Sequence, residues 1–98
     1  MLSLDAVYRK ETKLPWRSLE GHVVIVQLKE ESVLSLNGTG AELWDLIDGN
    51  HTVRDMARYL TDNFEVDEET ALADVRSFVT CLLEKKVICE KNAQDIRR

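Results

Sequence analysis

The residues best suited to nucleophilic, acid–base or metal chemistry are His22, His51, Cys81 and Cys89. A catalytic histidine needs a nucleophile and an orienting group within hydrogen-bond reach. Neither histidine has a serine or cysteine beside it in a nucleophile motif. His22 reads as the start of a strand, and His51 as part of a turn between helices. The cysteines match no metal-ligand spacing, and no other cysteine or histidine cluster joins them. Cys81 falls in an apolar helical pattern, where a small buried hydrophobe is expected. Gly38-Thr39-Gly40 lacks both the third glycine of a dinucleotide fingerprint and the Gly-Lys-Ser/Thr of a P-loop, and reads as a strand-to-helix junction. The carboxylates are scattered over helix faces, where solvation accounts for them. The sequence therefore reads as a non-enzyme with no metal and no cofactor.

The elements around these residues are organised by the stretch 36–64. Asn37 and Thr39 are both good N-cap residues, and Thr39 with Glu42 forms a capping box. Leu43, Leu46 and Ile47 recur at helical spacing, and Gly49 is expected to end that helix in a left-handed conformation. Thr52 with Asp55 opens a second helix, whose Val53, Met56, Ala57, Leu60 and Phe64 draw one apolar face. A third helix is predicted from about residue 68 to 85. Asp67 caps it, Glu68 and Glu69 suit its positive end, and Lys85 and Lys86 its negative end. Ala71, Val75, Phe78 and Leu82 form one apolar stripe, and Leu72, Val79 and Leu83 a second beside it. Val75, Phe78 and Leu82 are expected in the core. Trp44 is expected to be structural, its ring capping the core edge while its N–H finds a partner.

Ahead of the helices, residues 22–28 are the best strand, with the β-branched run from Val23 to Val26 partly covered on each face. Residues 17–20 read as a first strand after Leu14-Pro15-Trp16. Residues 32–36 read as a third, joined through the polar turn Lys29-Glu30-Glu31 in an antiparallel hairpin. The fold class is α+β, a three-stranded antiparallel sheet followed by three helices, with the last strand at an edge. Residues 1–12, broken by Asp5, Arg9, Lys10 and Glu11, read as a flexible N-terminal arm. Residues 13–90 read as the domain and 91–98 as a frayed tail, with Val87-Ile88-Cys89 packed back on the core.

Ninety-eight residues with 44% hydrophobic content fit one domain. Lys plus Arg total 13 against 18 for Asp plus Glu, a formal charge of −5. That balance weighs against nucleic acid as a partner, although it permits a local basic patch. No signal-peptide pattern and no membrane-length apolar run is present, so a cytoplasmic protein without a membrane partner is expected.

Two apolar features exceed what a small core requires. The third helix has an apolar arc wider than one stripe, and the strand at 32–36 leaves one edge unpaired. An open edge is a template for strand addition by a peptide. The competing reading is that both stripes of the helix are simply core.

Leu36-Asn37, Leu43-Trp44-Asp45-Leu46-Ile47-Asp48-Gly49, Thr52-Val53, and Asp74-Val75 with Phe78, Leu82 and Val87-Ile88 resemble the PqqD family over about residues 20–89. The closing helix here ends in Lys85-Lys86-Val87, where many members have glycine. The resemblance implies a winged-helix-like fold and a peptide chaperone, or RiPP recognition element. Such a domain binds the leader of a ribosomally made precursor peptide and presents it to a modifying enzyme, often a radical SAM enzyme. It further implies that the leader adds beside the third strand, against the third helix. Carried over by position, those surfaces are Ser32, Val33, Leu34, Ser35 and Leu36, with Leu72, Arg76, Val79 and Leu83. Arg76 is read either as a fork for a leader carboxylate or as solvated or paired with Glu69 or Asp74. The alternative from another class is a winged-helix DNA-binding regulator. Against it stand Asp67, Glu68, Glu69 and Asp74, which would repel phosphates.

Overall fold

The computed structural model of the chain describes residues 3–91. Its elements are β1 (Val7–Lys10), β2 (Trp16–Leu19), β3 (His22–Gln27), β4 (Ser32–Asn37), α1 (Thr39–Asp45), β5 (Asp48–Thr52), α2 (Val53–Asn63), α3 (Glu68–Glu84) and β6 (Ile88–Lys91). The expected antiparallel meander is present in the order β2-β3-β4, and the three expected helices follow it. Val23 pairs with Leu36 and Ile25 with Leu34. These four residues share the sheet face turned to the helices, where Val23 and Ile25 are buried.

A second antiparallel sheet, in the order β5-β1-β6, was not foreseen. It corrects the reading of residues 1–12 as a flexible arm, because β1 is its central strand. Tyr8 is buried, and β1 pairs with β6 from Val7↔Lys91 to Lys10↔Ile88. The carbonyls of Leu4 and Ala6 accept the first N–H groups of α2, from Arg54 and Val53, both at 3.0 Å. Charged residues concealed this strand in the sequence. Lys10 points the same way as Tyr8, and its ammonium is absorbed by two indole rings and the Ile47 carbonyl rather than by water. His51 lies in β5, not in a simple turn.

The helix ends follow local chemistry, with corrections at α1. Its N-cap is Gly38 at φ 54, and no side chain caps it, so the Thr39–Glu42 box does not form. Glu42 instead accepts the hydroxyl of Tyr59, which joins α1 to α2. The helix closes at Asp45, and Gly49 spends its positive φ of 82 inside β5, beside the irregular register between β1 and β5. The capping box of α2 forms as expected: Thr52 Oγ1 accepts from Asp55 N–H and Asp55 Oδ2 from Thr52 N–H, each at 3.0 Å. Val53, Met56, Ala57 and Leu60 are buried, whereas Phe64 is the extended residue after the helix and is exposed. Asp67 caps α3 by accepting from Thr70 N–H at 2.8 Å. The exit of α3 turns through Lys86 at φ 63, and Val87 N–H reaches back to Leu82 O at 3.2 Å. That turn sends the chain into β6 without a glycine.

Candidate functional site

β4 is an edge strand. One side pairs with β3 along its length, from Gln27↔Ser32 to His22↔Asn37, and the other side has no strand beside it among the described residues. Every second residue on an edge presents its N–H and C=O outward. Leu34 and Leu36 are half-buried on the helix-facing side, while Val33 is 59% exposed and Ser35 is exposed on the other.

Contacts near its two ends relate β4 to α3. At one end, a Cβ placed on Gly40 would stand 3.5 Å from the Phe78 ring and 3.8 Å from Leu36 Cβ, so Phe78 lies near the end of β4. At the other end, Gln27 Nε2 donates to the Lys85 carbonyl at 3.3 Å, and Ser32 Oγ donates to Gln27 Oε1 at 3.3 Å. The start of β4 therefore meets the end of α3. The open edge of β4 and the side of α3 that carries Phe78 and Lys85 together bound the candidate groove, with half-buried Leu34 and Leu36 on the helix-facing side of the strand.

Which flank of α3 faces the groove follows from about 3.6 residues per turn. Ala71, Val75, Val79 and Leu82 form the buried centre of the helix. Phe78 lies on one side of that centre, and Asp74, Cys81 and Lys85 continue its row. Leu72, Arg76 and Leu83 lie on the other side. Leu72 lines a separate cleft of about 300 Å³ with Leu4, Arg54, Ala57, Arg58 and Glu68.

The site residues expected from the resemblance therefore divide. Ser32, Val33, Leu34, Ser35 and Leu36 come together along the open edge. Val79 does not join them, because it is fully buried in the core. Leu72, Arg76 and Leu83 are half-buried, on the other side of the buried centre of α3 from Phe78. Arg76 makes no ion pair with Glu69 or Asp74 among the described residues, and its Nε is buried without a hydrogen-bond partner.

The sequence places Phe78 and Cys81 in the core instead. Phe78 is half-buried rather than fully within the core, and Cys81 is exposed rather than a buried hydrophobe. Their signal was the row Asp74, Phe78, Cys81, Lys85 at helical spacing. The more apolar row across the helix outweighed it.

The titratable groups show no reactive cluster here. Among the described residues, no three of His, Cys, Asp and Glu gather as metal ligands would. His51 Nδ1 lies 3.0 Å from both carboxylate oxygens of Asp48. Burial pushes the Asp48 carboxyl up, but bonds from His51 and the Asn50 N–H outweigh it and hold the group below its ordinary value. That pair is on β5, in the other sheet from β4. No described helix is long and apolar enough to cross a membrane.

Comparison with known proteins agrees with this architecture. The family model described as coenzyme PQQ synthesis protein D (PqqD) matches residues 22–88. Comparison with curated proteins gives no match. One similar solved structure is TbiB1 in complex with the TbiA(beta) leader peptide, with a TM-score of 0.74 and 19% identity, covering 82% of this chain and 93% of that one. Another is lasso peptide synthetase B1 complexed with the leader peptide, with a TM-score of 0.73 and 26% identity, covering 84% of this chain and 96% of that one. At 19% identity the first likeness concerns the fold alone. With its edge strand, three helices and family match over most of its length, the chain belongs to the PqqD family.

Proposed function

We propose that this chain binds the leader segment of a ribosomally synthesised precursor peptide as an added strand along β4, and presents it to a modifying enzyme without doing chemistry itself. The observation that carries the reading is the open edge of β4 facing the Phe78–Cys81–Lys85 flank of α3. Main-chain hydrogen bonds on the edge supply affinity for any sequence, and side-chain pockets choose the register. The 26%-identical solved structure is a leader-peptide complex, which supports this reading. The protein acts in the cytoplasm as an adaptor, and its partners are the peptide and the enzyme. The DNA-binding alternative meets an exposed acidic first turn on α3, formed by Asp67, Glu68 and Glu69.

On this reading the α3 contacts shift from the set expected in the sequence. Phe78 and the exposed face of Cys81 take apolar leader side chains, and Leu34 and Leu36 form the floor. Leu72, Arg76 and Leu83 lie outside the groove. The test is an NMR titration of the full chain with the N-terminal segment of a precursor peptide encoded beside it. Amide shifts are expected at residues 32–37 and 74–85. Shifts confined to α2, or to the Leu4–Leu72 cleft, would overturn the assignment.

A further inference from the structure

A cleft of about 530 Å³ lies beside the turn that leads into β4; its lining includes Gln27 and Lys85, which meet near the Ser32 end of β4, but no residue of β4 itself. Three separate segments wall it: the link from β1 to β2, the turn from β3 to β4, and the exit of α3. Hydrogen bonds tie them together. Glu11 N–H donates to Val87 O at 3.0 Å, Val26 N–H to Pro15 O at 2.9 Å, and Gln27 Nε2 to Lys85 O at 3.3 Å. The cleft is therefore held in shape rather than formed by loose loops meeting by chance.

Its lining reverses the charge of the molecule. Lys13, Lys29, Lys85 and Lys86 line it against Glu11 and Glu30, in a chain whose formal charge is −5. All four lysines are exposed, and none forms an ion pair among the described residues. Two of them also hold backbone conformations that favour glycine, Lys13 at φ 62 and Lys86 at φ 63. Glu20 and Glu31 hold the same conformation outside the cleft, so it is the charge and placement of the lysines, not their backbone, that mark the cleft.

We propose that this cleft binds carboxylates, and that its ligand is an acidic stretch of the same peptide, flanking the segment that adds to β4. The inference rests on the proposed groove for the peptide's identity, but the cleft's preference for acidic side chains stands on its own residues. Exposed ammonium groups attract carboxylates over several ångströms with little desolvation, and salt weakens the attraction. Such contacts steer encounter and set register, which main-chain bonding along β4 cannot do. One peptide would then be read twice, by apolar side chains in the groove and by charge at its end.

The probe is acetyl-hexaglutamate amide, titrated into the isotope-labelled full chain at low salt, with acetyl-hexaglutamine amide as control. Amide shifts are expected at residues 11–15, 26–30 and 85–87 with hexaglutamate only. A Lys13→Gly/Lys86→Gly double variant, which relaxes both turns, should weaken binding about fivefold or more, and raised salt should do the same. Should that variant misfold, Lys29→Gln/Lys85→Gln makes the same test at positions without left-handed backbone. Shifts spread evenly over other basic residues, equal binding of hexaglutamine, or unchanged binding by a folded variant would overturn the proposal. Residues 32–37 need not respond to hexaglutamate, so the result is independent of whether the groove takes a leader.

Discussion

The ammonium of Lys10 lies 4.9 Å from the centre of the Trp44 ring. The same Nζ stands 5.2 Å from the Trp16 ring and donates to the Ile47 carbonyl at 2.9 Å. The two indoles meet edge to face, their centroids 5.7 Å apart and their planes at 80°. This cluster joins β1, β2 and α1, and so locks one sheet to the other. Burial lowers the Lys10 pKa, while Asp45 and Asp48 pull it back toward its ordinary value. Trp44 is structural, as expected, but it is fully buried rather than at the core edge, and its Nε1 has no hydrogen-bond partner among the described residues. The ring face, not the N–H, makes its polar contact.

Lys10→Met keeps most of the stem and removes the charge. It is expected to cost about 1–2 kcal/mol, from the lost cation–π contacts and one hydrogen bond. Urea denaturation measures this, and an unchanged midpoint would mean that the ammonium is simply solvated. In a Trp16→Phe background, Trp44 emission should be blue-shifted and poorly quenched by acrylamide.

Val79 and Phe78 separate the core of α3 from its groove flank. Val79→Glu buries a charge at a fully enclosed position and is expected to unfold the domain, since burying an unpaired charge costs several kcal/mol. Phe78→Ala, at a half-buried position, should cost about 1–3 kcal/mol, below the usual range for a core phenylalanine. The folded Phe78→Ala protein should bind leader peptide at least tenfold more weakly, by roughly 1.4 kcal/mol or more. A well-folded Val79→Glu, seen by circular dichroism, would contradict the division.

The helix caps should set the acid limit. The Thr70 N–H holds the Asp67 carboxyl below its ordinary value of 3.8, and the Thr52 N–H does the same for Asp55. A carboxyl depressed in the fold contributes its full stability above its unfolded pKa and loses it as pH falls through the folded value. These contributions are expected to be constant from about pH 7 to 5 and to fall away below about pH 4. A series of urea midpoints measures the loss, which should be smaller in Asp67→Asn. At neutral pH, Thr52→Ala should cost about 1 kcal/mol by removing the α2 cap.

Cys81 offers a direct reading of groove occupancy. Its thiol is exposed, in the same row of α3 as Phe78, on the side that the proposed groove would use. Saturating leader peptide should slow its alkylation by iodoacetamide at least about tenfold, as expected for a side chain covered by an added strand. Mass spectrometry of peptides distinguishes it from Cys89. Unslowed alkylation under saturation would place the peptide elsewhere.

The sequence by itself determined the elements whose cause is local. The Thr52–Asp55 box, the Asp67 cap and the Val23–Val26 run are instructions read within a turn or a hairpin, and the structure follows them. An edge position for β4 was also legible, because short links make β2, β3 and β4 neighbours in order. Only the tertiary structure decided the rest. β1 depends on partners far along the chain, in β5 and β6, and its Lys10 looks solvated until two indoles arrive. The division of α3 between buried centre and half-buried flanks was hidden for a similar reason. Leu72, Val79 and Leu83 make the more apolar row, but apolar pattern reports what burial favours, not which neighbour does the burying. α2 packs against α3 and Leu72 shares a cleft with it, while Phe78 lies near Leu36 at the end of β4.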